Sequence, residues 1–197
     1  MQPQPDRTYT WVERLEWEGD DRWELIDGLP YAMSSPSLLH QVMVMELSGR
    51  LYPQFREGRC RLLAAPFDVK LSHRDVVQPD LLVICDTHRL QASHLDGPPE
   101  LAVEVLSPSN ERHERLRKLN LYARAGVAEY WLVTPYPFLF EVLRNRNGTF
   151  EIAGSYCEKD QFVSPTFPFV QLDLMEIFQS LPYPEALREA PPPYSTV

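Results

Sequence analysis

The chain has 197 residues, with 19 Lys+Arg against 28 Asp+Glu and a net charge of −9. A hydrophobic share of 44% with 24% charged residues excludes a chain disordered throughout. No run approaches the roughly 18 continuous apolar residues of a membrane-spanning helix, and the acidic balance weighs against a general polyanion binder.

The start, Met1-Gln2-Pro3-Gln4-Pro5-Asp6, has no basic segment leading an apolar one, so no secretory leader is expected. Cys60, Cys85 and Cys157 are odd in number, far apart and without a CxxC pair. Neither a disulfide framework nor a cysteine zinc site is expected, and a reducing cytoplasm is the simplest location. The 19 prolines gather at the ends and in connections. The expected organisation is an N-terminal arm over 1–8, one domain over 9–179 and a Pro-rich tail over 180–197.

In chain order, Thr8 or Thr10 caps a short helix carrying Trp11, Val12 and Leu15. Arg22 to Met33 reads as a hairpin turning on Asp27-Gly28. Ser37 to Phe55 is an amphipathic helix with Leu38, Val42, Met45 and Leu51 at helical spacing. Short strands are expected at Arg61–Ala64, Phe67–Leu71, Asp80–Cys85 and Leu101–Leu106. The last ends in the turn and helix cap Ser107-Pro108-Ser109-Asn110. Glu111–Ala125 is helical, with Leu116, Leu119 and Ala123 on one face and Gly126 closing it. Strands follow at Glu129–Val133, Phe138–Arg144 and Thr149–Ala153, then a short helix at Leu174–Phe178. The order is that of a mixed α/β fold.

Three residues stand out from this pattern. Glu104 interrupts an apolar strand whose alternation places it on a face with Ala102 and Leu106. A lone carboxylate there needs a partner or a metal; an edge strand or an ion pair with arginine would also explain it. Asp80 follows Pro79, a residue that suits a strand's first position, and opens the run Leu81-Leu82-Val83-Ile84. Alone it reads equally as a turn residue. Lys118 lies on the helix following the Glu104 strand, within reach of its C-terminal end, or is a solvated lysine. Together, two carboxylates at strand ends offer hard oxygen ligands for Mg²⁺ or Mn²⁺. A nearby lysine can orient a water or stabilise phosphoryl charge.

The ordered phrases are Trp23-Glu24-Leu25-Ile26-Asp27-Gly28, His40-Gln41, Val77-Gln78-Pro79-Asp80-Leu81, Leu101 to Ser109, Lys118-Leu119, Leu121 to Val127 and Glu129 to Val133. With them the chain resembles the PD-(D/E)XK nuclease superfamily, and within it the Uma-two family of restriction-endonuclease-like proteins. The resemblance runs from about Thr8 to Phe178. It implies a restriction-endonuclease-like central mixed sheet flanked by helices, with an N-terminal helix and hairpin. It implies Asp80 and Glu104 as metal ligands, with the lysine moved from the position of Leu106 to Lys118. Glu24 matches an extra acid, a third ligand or water holder. The expected catalytic set is Asp80, Glu104 and Lys118; the expected metal set is Asp80, Glu104 and Glu24.

Glu114 matches the acid that the resemblance implies four residues before the lysine, and it equally reads as an i,i+4 helix-stabilising partner of Lys118. Tyr122 reads as a half-buried tyrosine ahead of a group positioning Lys118, His40 as a surface or packing histidine ahead of one facing the cleft, and Gln78 as structural ahead of a support for the site. From Glu111 to Lys118 the bases Arg112, Arg115, Arg117 and Lys118 outnumber two acids, and Arg124, Arg144 and Arg146 extend a basic rim that would offset the acidic balance near DNA. The expected function is Mg²⁺- or Mn²⁺-dependent hydrolysis of DNA phosphodiester bonds, and cutting of both strands would favour a homodimer. The alternative is a nuclease-fold interaction module with weak or no cleavage.

Overall fold

The computed structural model describes residues 2–19, 21–106 and 111–182, and side chains in 111–115 fall outside it. The expected Ser107–Asn110 turn, the Glu114 pairing, the Arg112 and Arg115 side chains and the tail from 183 therefore lie outside the described residues.

The chain begins with α1 (Trp11–Arg14) and the strands β1 (Trp23–Ile26) and β2 (Leu29–Ala32), followed by α2 (Leu38–Phe55). Next come β3 (Arg61–Ala64), β4 (Asp68–Lys70), β5 (Val76–Val77), β6 (Leu81–Ile84), β7 (His94–Asp96) and β8 (Leu101–Val105). The helix α3 (Glu111–Ala125) leads to β9 (Glu129–Thr134), β10 (Leu139–Arg146), β11 (Thr149–Tyr156), β12 (Gln161–Val163), β13 (Gln171–Asp173) and α4 (Leu174–Ser180).

Local signals explain most of these elements. Thr10 rather than Thr8 caps α1, in a capping box with Glu13. The β1–β2 turn takes Asp27 and Gly28 to positive φ, 53° and 82°. Gly28 is required twice over, because a Cβ there would sit 3.1 Å from the Tyr9 carbonyl oxygen. Ser37 caps α2 by accepting the His40 N–H.

A six-stranded sheet runs β11-β10-β9-β8-β6-β3 and a five-stranded sheet runs β2-β1-β5-β4-β7. The pair β8–β9 is parallel and is connected through α3. Alternation along the strands divides the core in two. Leu81, Val83, Leu101, Val103, Trp131 and Val133 pack on one face against α2 and α4. Leu82, Ile84, Ala102, Tyr130 and Leu132 face the other way, against α3 and residues of the five-stranded sheet.

The helix faces differ from expectation by one or two positions. In α2 the buried residues are Met43, Leu47, Leu51 and Phe55, while Leu38 is 71% and Met45 68% exposed. Apolar residues ring this helix, so periodicity alone did not select the face. In α3, Leu116 is exposed while Lys118, Leu121 and Tyr122 are buried.

The cysteine expectation is corrected. Cys60 and Cys85 form a disulfide, and Cys157 is free and exposed. The cause is register. Arg61 pairs with Ile84 in the antiparallel β3–β6 ladder, so the residue before β3 faces the residue after β6. Cysteine usage therefore gives no support to a reducing compartment. Alkylation of the native, unreduced protein should modify Cys157 alone. Modification of all three cysteines without reductant would refute the pairing. Among the described residues, no helix is long and apolar enough to cross a membrane.

Candidate active site

The β6–β8 ladder brings two of the singled-out residues together. It pairs Leu81 with Val103 and Leu82 with Ala102, running antiparallel. Continued by one residue, the same register sets Asp80 opposite Glu104. Side chains opposite each other in such a ladder are neighbours, with Cβ atoms roughly 5 Å apart. The Val105 N–H donates to Asp80 Oδ2 at 2.8 Å, tying the start of β6 to the end of β8.

Lys118 reaches this point from α3. Its Nζ lies 3.0 Å from Glu104 Oε1 and 3.0 Å from Glu24 Oε1, and the side chain is almost wholly buried. Tyr122, one turn further along α3, donates its hydroxyl to the same Glu104 Oε1 at 2.8 Å. Glu24 comes from β1, and its Oε1 also accepts the Gln78 N–H at 2.8 Å. The structure thus brings Glu24, Asp80, Glu104 and Lys118 into one cluster.

Burial dominates the electrostatics. Desolvation pushes the Glu104 carboxyl up to about 8; Lys118 pulls it down, while Asp80 and Glu24 push it further up. Burial, reinforced by Glu104, raises the Tyr122 phenol well above its usual value, so it remains a hydrogen-bond donor.

Sequence reasoning undervalued two residues here. His40, at the start of α2, places Nε2 3.2 Å from Asp80 Oδ2. Tyr122, read as a packing residue, bonds Glu104. For His40 the signals were its place three residues after a capping serine and in the family phrase His40-Gln41; for Tyr122 they were an i,i+4 spacing from Lys118 and its place in the phrase Leu121 to Val127. Gln78 supports the cluster from below. Its side chain accepts from Arg22 Nε and donates to Asp68, which Arg14 grips with both terminal nitrogens at 2.6 and 2.7 Å. The expected basic rim is partly consumed by ion pairs. Arg124 bonds Asp27 and Asp75, Arg146 lies 3.9 Å from Glu151, and the Arg117 guanidinium sits 4.2 Å over the Tyr31 ring.

The donor chemistry suits a hard divalent cation. Every hydrogen bond to the Asp80 carboxylate among the described residues arrives at Oδ2, and every one to the Glu104 carboxylate at Oε1. One oxygen of each carboxylate is left for a ligand. A cation between them would relieve the repulsion that raises Glu104. No group of three or more His, Cys, Asp or Glu among the described residues is arranged to hold a metal. Carboxylate oxygens of this kind suit Mg²⁺, which commonly keeps several waters beside one or two carboxylates. A separate cleft of about 490 Å³, lined in part by Phe55, Cys60, Cys85, Glu100 and Phe167, lies at the opposite ends of β6 and β8 and contains none of the cluster.

Comparison with known proteins adds family membership. A family described as "Putative restriction endonuclease", Uma2, matches residues 11–175. The chain belongs to the Uma2 family. An uncharacterized Synechocystis protein, slr1290, is 32% identical over 124 residues, covering 61% of this chain. The match spans 65% of that relative's length. A crystal structure of a "putative nuclease belonging to DUF820" from Anabaena variabilis superposes with a TM-score of 0.72 at 17% identity, over 87% of this chain and 98% of the other. At that identity the likeness establishes a shared mixed α/β fold, the fold expected of this Uma2 chain.

Proposed function

We propose that this Uma2 chain is a metal-dependent endonuclease that hydrolyses DNA phosphodiester bonds, as a homodimer where both strands are cut. The observation that carries this reading is the pairing of Asp80 with Glu104, each with one oxygen uncommitted, beside the buried ammonium of Lys118. The family description and the nuclease title of the Anabaena structure support it.

Asp80 and Glu104 would hold Mg²⁺ or Mn²⁺. When bound, such an ion acts as a Lewis acid toward a phosphoryl oxygen and activates water. Lys118 supplies fixed positive charge to the phosphoryl oxygens as negative charge builds on them. Glu24 holds that ammonium in place through Oε1, which also takes the Gln78 N–H, and its other oxygen would serve the ion or a water on it. Water oxygen bonds to phosphorus and releases a proton to solvent, the bond from phosphorus to the sugar oxygen breaks, and the departing oxygen takes up a proton from solvent.

The purified protein should nick supercoiled plasmid in millimolar Mg²⁺ or Mn²⁺ and stop in EDTA. Millimolar Mn²⁺ should also raise Tm, because a ligand of the native state stabilises it. Absence of both nicking and Tm shift would overturn the reading. A Tm shift without nicking would favour the interaction-module alternative, consistent with a net charge of −9 and arginines already paired.

A further inference from the structure

We infer that His40 and Tyr122 are positioning residues: each helps occupy one oxygen of a site carboxylate and so leaves the other oxygen to a divalent cation. The inference rests on the proposed reading of the site and names residues outside its expected set.

Each carboxylate oxygen has two lone pairs to offer donors. Asp80 Oδ2 receives the Val105 N–H at 2.8 Å and lies 3.2 Å from His40 Nε2. Glu104 Oε1 receives Tyr122 OH at 2.8 Å and Lys118 Nζ at 3.0 Å. Two donors saturate one oxygen in each case. With a single donor either oxygen could serve and the carboxylate would sample both orientations; with two, the group is locked. The four donors come from β8, α2 and α3, three elements packed around the same sheet end.

His40 also behaves unlike a packing residue. An ionised Asp80 only accepts, which places a proton on Nε2 and fixes the tautomer by its partner. In the neutral imidazole Nδ1 is then an acceptor, buried and without a hydrogen-bond partner among the described residues. An apolar side chain would fill the same space without that cost. What the imidazole provides there is its bond to Asp80. Tyr122 follows the same logic: it is fully buried, and its hydroxyl goes to Glu104 although Phe would pack equally well.

Groups that orient metal-holding side chains typically change metal affinity by about 10–100-fold when removed. The test is Mn²⁺ affinity, measured by electron paramagnetic resonance of free Mn²⁺, for wild type, His40→Ala, His40→Gln, Tyr122→Phe and Asp80→Asn. His40→Ala and Tyr122→Phe should each weaken Mn²⁺ binding by about 10–100-fold while the metal-free protein still melts cooperatively. His40→Gln keeps an amide N–H near the position of Nε2 and should recover most of the affinity. Saturating Mn²⁺ should restore more activity to these variants than to Asp80→Asn. If His40→Ala does not fold, His40→Leu fills the space and lacks the donor. Wild-type affinity in either donor-deleted variant, with Asp80→Asn defective, overturns the inference and leaves the site reading intact. Wild-type affinity in Asp80→Asn as well overturns the site reading itself.

Discussion

Asp80→Asn is expected to abolish metal-dependent cleavage while leaving the metal-free protein folded. The substitution is isosteric, and the amide oxygen can still accept from Val105 N–H and His40 in place of Oδ2. The amide nitrogen then occupies the position of Oδ1 and presents hydrogens where a cation needs lone pairs. Metal-assisted charge stabilisation is worth several kcal/mol, so a loss of about 10³-fold or more in kcat is expected. The change also removes one of the charges that raise Glu104, so that carboxyl should titrate lower in the variant. Plasmid nicking and metal-free melting, run on the same preparations, check both halves. Undiminished nicking by Asp80→Asn would identify a contaminating nuclease and end the assignment.

Lys118→Met should destabilise the fold itself. Lys118 is only 2% exposed and lies between two buried carboxylates, Glu24 and Glu104. Removing the cation from a buried ion pair leaves uncompensated acids and typically costs about 3–5 kcal/mol. In a domain of this size that corresponds to a fall in Tm of about 10 °C. Adding Glu24→Gln to Lys118→Met should restore part of the loss, because one of the opposed acids is gone. Such non-additivity is the signature of direct coupling. A Lys118→Met protein as stable as wild type would show that the ammonium is solvated and not clamped. Loss of activity in a lysine variant therefore reports on folding as well as chemistry, which makes Asp80→Asn the cleaner probe of catalysis.

The parts of this site that the sequence made legible are those that break a pattern. Glu104 shows because an acid inside Leu101–Val105 is out of place. Asp80 shows because Pro79 marks a strand start, and Lys118 and Glu24 gain meaning chiefly through family likeness. His40 and Tyr122 break no pattern: one begins a helix and the other occupies a core position, and only the assembled elements give them partners. The same holds for Cys60 and Cys85, whose meeting depends on the β3–β6 register. The mixed α/β fold followed from long periodic segments, whereas Val76–Val77, His94–Asp96, Gln161–Val163 and Gln171–Asp173 are too short to carry a period. The buried face of α2 was misjudged because its apolar residues are not confined to one stripe.

The clustered side chains come from β1, the start of β6, β8, α2 and α3, and none of the acids is satisfied by its own element. Glu24, made early, waits for an ammonium supplied only after the β8 strand and much of α3 have been synthesised. A nascent chain halted between Glu104 and Lys118 would hold all three acids without their counter-charge.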